Sequence, residues 1–578
     1  MRRNALRMLT CVVCLSASTG IAVYARKTAA KSANFSKQIA KSDRIVQALN
    51  RLTFGARPGD AEQVRKIGLK KWIGLQIHPE RIPENPVLAE KLKPFDTLTM
   101  PSAELVRNYP APEIVRQMVA GQIPFPTDPD RRMMIQRLVA RDEKRQAAGG
   151  QGVPPPPPPG APNAQPLTDL LSQPQIRVLR TGAPQERLAV FQSLPADKQD
   201  DVIAALPAGI RQALFAAAPP DVRRKIEMSA GPAQVVARDL MESKILRAVY
   251  SSRQLDEVLA DFWFNHFNVF LDKGADRYLI TEYDQAAIRP HVLGKFRDLL
   301  EATAKSPAML FYLDNWQSVG ANVPLPRGPN AQRRGLNENY GRELLELHTL
   351  GVDGGYTQKD VTEVARCFTG WSINQPQRGG SFLFTPRLHD RGEKTVLGVK
   401  IPAGGGIEDG EKVLDIVARH PATAHLISKK LAQRFVTDDP PPALVERMAQ
   451  TFLKSDGDIR AVLQTMIDSK EFWSEGAFRS KMKSPLEVVV SAVRASNGNV
   501  DFATGLVNQV AQLGEPLYRK QEPTGYSNTG NEWMNSAGLM ARMNFALQLA
   551  SNKVPGVMVE KPENSAGIAL GSPEFQKK

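Results

Sequence analysis

Between Asn337 and Trp371 the chain reads NENYGRELLELHTLGVDGGYTQKDVTEVARCFTGW, its densest gathering of side chains able to do chemistry. On an ideal helix from Asn337 to Leu347, steps of about 100° place Glu338, Asn339, Arg342, Glu343 and Glu346 within about 140° of arc. Glu338, Arg342 and Glu346 follow one another at i, i+4 and i+8, an acid–base–acid ladder bordered by Asn339 and Glu343. One reading is the polar wall of a cleft, its carboxylates taking a divalent metal, sugar hydroxyls or a proton while Arg342 holds an anionic group. The other is a solvated face of ion pairs, each contributing about 0.3–0.5 kcal/mol. His348 falls about 200° from Glu346, on the apolar side with Leu344, Leu345 and Gly341. A Glu346/His348 chelate therefore needs the helix to unwind before Gly351. His348 reads as a hydrogen-bonded core histidine or a binding residue, and Trp371 closes the segment as a candidate binding aromatic.

Two further histidines stand out. In the predicted helix Leu255 to Phe270, His266 lies at the centre of a face shared with Leu255, Leu259, Phe262 and Phe270. A buried imidazole needs ring partners or costs roughly 1–3 kcal/mol. It is either satisfied structurally or projects into a pocket as acid, base or ligand. His389 shares a predicted strand face with Arg387 and is followed by Asp390. If that strand folds over the Glu-rich helix, His389 and Asp390 complete a site. Thr357 with Asp360 reads as a helix cap, and Asp314-Asn315 as a turn. The metalloprotease HExxH, the P-loop, GxSxG, CxxCH and paired CxxC motifs are all missing.

The elements that must position these residues are mostly helices. At 578 residues, 42% apolar and 23% charged, the chain has the composition of a globular protein with a full core. The predicted fold is mainly α: a multi-helical globular body with a minor β-hairpin and a Pro-rich, short-helix-repeat insertion. Residues 1–25 read as a signal peptide: Arg2, Arg3 and Arg7, then an uncharged run Met8 to Val23 that is short for a hydrocarbon core about 30 Å thick. Residues 26–40 read as a flexible leader and 41–124 as the first part of the body. Residues 125–230 form the insertion, with a spacer at 147–167 around the Pro154 to Pro159 run and repeats at 170–230. Residues 231–555 read as the main helical domain, and 556–578 as a flexible tail. In the repeats, Pro184, Pro195, Pro207 and Pro219 recur every eleven or twelve residues, each followed seven positions later by Phe191, Val202, Leu214 or Ile226. Proline in a first turn predicts a string of two-turn helices that must stack to be stable. Asp60 with Gln63 resembles a capping box, as does Ser484-Pro485-Leu486-Glu487. The hairpin is predicted near 380–401, with Ser381 to His389 and Lys394 to Ile401 flanking a turn at Asp390 to Glu393.

Signal cleavage removes Cys11 and Cys14, leaving Cys367 alone and no intramolecular disulfide. The net charge of +15 favours anionic partners such as an envelope polymer, set against a plain solvated surface. No run of Lys/Arg interleaved with aromatics marks a nucleic-acid groove. After signal cleavage no segment is apolar and long enough to span a bilayer.

The stretches ALNRLTFGARPGD, FWFNHF, YLDN, NENYGRELLELHTLGVDGGYTQKDV with ARCFTGW, HDRGEKTVLG and PTGYSNTGNEWMNSAGLMARMNFA resemble the bacterial "domain of unknown function 1800" family. The resemblance covers roughly residues 42–95 and 235–550. It implies an exported, largely helical protein without a settled activity, in a family often encoded beside exported sulfatase- or phosphatase-like proteins. Relatives commonly carry a second His where this chain has Phe264, which weakens any metal pair on that helix. The proline run and helical repeat look peculiar to this branch.

Two functions compete. A binding or assembly role in the bacterial envelope, periplasmic or extracellular, is favoured because no complete catalytic set is visible. The alternative is an envelope hydrolase or metal-assisted enzyme that draws Glu343, Glu346, Arg342, His266 and His389 around one cleft. Convergence of these residues within hydrogen-bonding reach supports the enzyme, and scatter supports binding.

Overall fold

The computed structural model describes residues 34–147, 166–321, 323, 335–560 and 564–578. The expected signal peptide and most of the proline spacer fall outside those residues. The chain is mainly α-helical, with three two-stranded antiparallel sheets among the described residues. Among the described residues no helix is long and apolar enough to cross a membrane.

Near the N-terminus, α1 (Arg44–Leu52), α2 (Asp60–Ile67) and α3 (Leu69–Ile77) lead to the central helix α4 (Pro232–Tyr250), followed by α5 (Gln254–His266). Pro232 occupies the first position of α4, where its missing N–H costs nothing. Apolar residues surround α4, so it is buried on nearly every side. Its two buried acids have partners: Asp239 pairs with Arg224 at 2.7 Å, and Glu242 accepts from Ala503 N at 2.7 Å and from Thr504 Oγ1. One large apolar core runs from Ala48 through α4 and α5 to Leu570.

The proline repeat builds five short helices: Gln173–Thr181, Pro184–Gln192, Ala196–Ala205, Ala208–Ala217 and Pro220–Ala230. Pro184 begins its helix, whereas Pro195, Pro207 and Pro219 sit just before theirs. Phe191, Val202, Leu214 and Ile226 all bury in a core belonging to these helices. Arg224 then fastens the last of them to the body through Asp96 and Asp239.

The chemistry-bearing segments lie on α6 (Asn339–Glu343), continued by a π-helical turn Leu344–Thr349, and on α7 (Gln358–Cys367), α8 (Glu408–Ala418) and α9 (Pro421–Phe435). Thr357 and Asp360 form the expected capping box of α7, with Thr357 N donating to Asp360 Oδ2 at 2.9 Å. Ser484 and Glu487 do the same for α10 (Pro485–Ala495). Asp60 does not: Gly59 is the cap of α2, and the Asp60 carboxylate instead accepts the Arg57 N–H at 2.8 Å.

The predicted hairpin is replaced by two. Strand β1 (Trp371–Ile373) pairs with β2 (Phe382–Phe384), and β3 (Lys394–Val396) pairs with β4 (Val399–Ile401). The tight turn is Leu397-Gly398, both left-handed, a two-residue loop whose twist suits paired strands. Asp390 to Glu393 is no hairpin turn because the Asp390 carboxylate is held by Arg366 and Gly392 N.

Both ends of the described chain are fastened rather than free. Ile39 is buried and donates to Trp473 O at 2.9 Å, so the later part of the expected leader is docked. After α11 (Ser536–Ala550) and α12 (Asn564–Gly571), the expected tail returns to the body. Lys578 is buried and donates to Glu487, which also pairs with Arg434 at 3.1 Å.

Candidate functional site

The polar residues of Asn337 to Trp371 and the three histidines divide among three networks. The first joins α6 to α7. Glu338 accepts from Thr362 Oγ1 at 2.6 Å and Gln358 Nε2 at 2.8 Å, and pairs with Arg342 at 3.4 Å. Arg342 also reaches Gln358 Oε1 at 3.0 Å. Exposed Asn339 donates to Leu313 O at 3.3 Å. This end of the ladder is a half-exposed clasp between helices, worth little as an ion pair. Glu343 and Glu346 sit one turn further on and are half-buried. Burial, and then repulsion by Glu346, raise the Glu343 carboxyl above its ordinary range. Glu346 is reached by Tyr356 Oη at 3.5 Å.

The second network lies beneath them and follows from the π turn. At its end both Leu350 N and Gly351 N turn back to Leu345 O. The Leu347 and His348 carbonyls are thereby presented to other donors. Lys430 Nζ on α9 reaches Leu347 O at 3.5 Å, and His266 Nε2 reaches His348 O at 3.0 Å. Lys430 Nζ also lies 3.0 Å from His266 Nδ1. A lysine can only donate, so Nδ1 accepts and Nε2 carries the hydrogen that His348 O receives. His266 and His348 are buried with ring centroids 6.2 Å apart. Burial, reinforced by the nearby Lys430 charge, lowers His266 well below its ordinary pKa and His348 to about 3. Burial lowers Lys430 to about 8. Both rings are therefore neutral at pH 7, and His348 Nε2 has no hydrogen-bond partner.

The third network surrounds His389. Its Nδ1 lies 2.8 Å from Thr369 O and its Nε2 3.1 Å from Asp409 Oδ2. Buried Lys394 also pairs with Asp409 at 2.7 Å. Asp390 forms a two-pronged pair with Arg366 at 2.9 and 3.1 Å, which depresses its carboxyl pKa. These bonds pin the β3–β4 hairpin between α7 and α8.

Among the described residues neither Glu343 nor Glu346 hydrogen-bonds an imidazole, and His389 engages neither carboxylate. The hairpin thus does not bring His389 and Asp390 to the Glu-rich helix, because Asp409 and Arg366 hold them elsewhere. Trp371 is a core residue rather than a binding wall. It is fully buried, edge-on to Phe368 and Phe382, and a Cβ on Gly410 would lie 2.6 Å from its ring. Cys367 is buried and its thiol is pushed up in pKa by burial, the setting of an inert thiol. Among the described residues no group of three or more His, Cys, Asp and Glu side chains is arranged to hold a metal.

Lys430, Asp409 and Lys394 carry these networks and are missed by sequence reasoning. For Lys430 a signal existed: it lies three residues from Ile427 and four from Arg434, at the edge of the inward stripe of α9, so two cations stand where apolar residues are expected. For Asp409 and Lys394 no local pattern marks the pairing.

Residues 47–576 match a family described as "Protein of unknown function (DUF1800)". The chain belongs to this family. The match spans nearly the whole chain, wider than the two stretches, roughly 42–95 and 235–550, over which the motifs around His266, Glu343 and His389 carried the resemblance. No curated protein and no solved structure matches it.

Proposed function

We propose that this DUF1800 protein is an exported binding or assembly protein of the bacterial envelope, and that it holds another exported protein on the face formed by α11 and α12. One observation supports this most: Leu539, Met540, Met543 and Leu547 are all exposed and fall within about 100° of arc on α11. Ile568 of α12 is exposed as well, and Met534 just before α11. Met540 and Ile568 retain 69% and 65% of their surface. Contiguous apolar surface of this kind marks interaction sites, and methionine side chains adapt to a partner's shape. The sulfatase- or phosphatase-like exported proteins associated with the family are the first partners to try. An envelope hydrolase, by contrast, needs the Glu and His groups around one substrate, and they divide among three networks.

Photocrosslinking in exporting cells tests this. A benzophenone side chain replacing Met540 should give one discrete adduct with an exported protein, lost with Leu539→Asp. The same probe replacing Val352, 70% exposed elsewhere, should give none. Equal labelling from both positions, or none from Met540, contradicts the proposal.

A further inference from the structure

The GARPGD turn is not absorbed by any of the three networks, yet it borders a cavity of about 420 Å³. That volume falls in the range of about 300–1,000 Å³ typical of small-molecule sites. Its apolar wall comes from Val64, Ile67, Trp72, Leu75, Ile82 and the Tyr250 ring. Its polar end is built by Arg57, Asp60 and Arg494.

The charges at that end do not balance. Arg494 is buried, donating to Gly55 O at 2.6 Å and Val249 O at 2.7 Å, and it pairs with Asp60 at 3.3 Å. Asp60 is thus spent on Arg494 and on the Arg57 backbone N–H at 2.8 Å. The Arg57 guanidinium lies 4.9 Å over the Tyr250 ring and donates to Val249 O at 2.7 Å. Among the described residues it has no carboxylate within ion-pair distance. Burial lowers its pKa, so an incoming anion would relieve an existing cost. Two guanidiniums against one carboxylate leave this end of the cavity with one uncompensated positive charge. A guanidinium already aimed by a carbonyl and an aromatic ring is well placed to hold a planar carboxylate.

We propose that this cavity binds an amphipathic organic monoanion, its carboxylate on Arg57 and its apolar body against Trp72. The site is distinct from the apolar face of α11 and does not depend on the protein-binding reading. Gln63 lines the mouth from the exposed side of α2, so its side chain can be changed without disturbing the core.

Calorimetric titration of the full mature protein with decanoate, decan-1-ol and decyltrimethylammonium tests the assignment. Decanoate should bind one to one, at least tenfold tighter than the neutral and cationic probes. Arg57→Gln should weaken decanoate at least tenfold, and Gln63→Glu, which places a negative charge at the mouth, at least threefold. Leu539→Asp should leave decanoate affinity unchanged. If Arg57→Gln fails to fold, Gln63→Glu decides the matter. Failure of decanoate to bind, equal affinity for all three probes, or affinity indifferent to the substitutions at Arg57 and Gln63 would overturn the proposal.

Discussion

Replacing His348 by Phe should flatten the acid sensitivity of this protein by a calculable amount. His348 is buried among Phe267 and His266, and its pKa falls from 6.5 to about 3. Between those values the unfolded chain binds a proton at this position and the folded chain does not. Stability from the neutral ring is therefore fully present above pH 6.5 and is lost as pH falls. Each pH unit inside the window is worth about 1.4 kcal/mol, so falling from pH 7.5 to 4.5 costs about 2.5 kcal/mol through His348 alone. That figure does not depend on where the lower pKa lies, provided it stays below pH 4.5. Phenylalanine fits the aromatic surroundings and gives up no bond at Nε2, which has no partner. Urea unfolding of both proteins at pH 7.5 and 4.5, followed by tryptophan fluorescence, supplies the comparison. Carboxylates and His266 contribute to both proteins and cancel in the difference. The wild type should lose about 2.5 kcal/mol more than His348→Phe over this interval. Equal losses would mean that His348 titrates like an exposed ring, and the buried His266–Lys430–His348 network would be wrong.

Three other substitutions separate structural from surface roles. Trp371→Ala should cost about 3–5 kcal/mol in urea unfolding, because a fully buried ring packed on Phe368, Phe382 and Gly410 is removed. A loss under about 1 kcal/mol would instead suit an accessible binding aromatic. Lys578→Ala leaves Glu487 buried with Arg434 as its remaining close cation and should cost on the order of 2–4 kcal/mol, a fall in thermal midpoint that a free tail would not produce. Arg342→Ala should change stability by less than about 0.5 kcal/mol, since its pair with Glu338 is half-exposed. A loss above about 2 kcal/mol in the same assay would place Arg342 in a buried network.

What the sequence made legible was local. Proline at or just before the first residue of each repeat helix and an apolar residue seven positions later are read locally, so the buried set Phe191, Val202, Leu214 and Ile226 follows from spacing. The capping boxes at Thr357 and Ser484 are likewise contained in four residues. Apolar periodicity around His266 predicts its burial. What stayed hidden depends on distant partners. The π turn at Leu344–Thr349 presents two carbonyls to Lys430 and His266, and those donors lie more than eighty positions away. Asp390-Arg391-Gly392-Glu393 has the composition of a hairpin turn, but a two-pronged bond from Arg366 claims its carboxylate. The ladder Glu338, Arg342, Glu346 is a pattern that either a cleft or a helix clasp can carry. Only the positions of Thr362 and Gln358 assign its first rungs to the clasp.

Sedimentation velocity of the protein with whichever protein a probe at position 540 captures is the decisive test of the α11 face. Wild type should form a stoichiometric complex, lost with Leu539→Asp and retained in a Glu343→Gln, Glu346→Gln double variant. A complex that survives Leu539→Asp would contradict binding at α11, and one that disappears when the two carboxylates are neutralised would relocate the working surface to the Glu-rich helix.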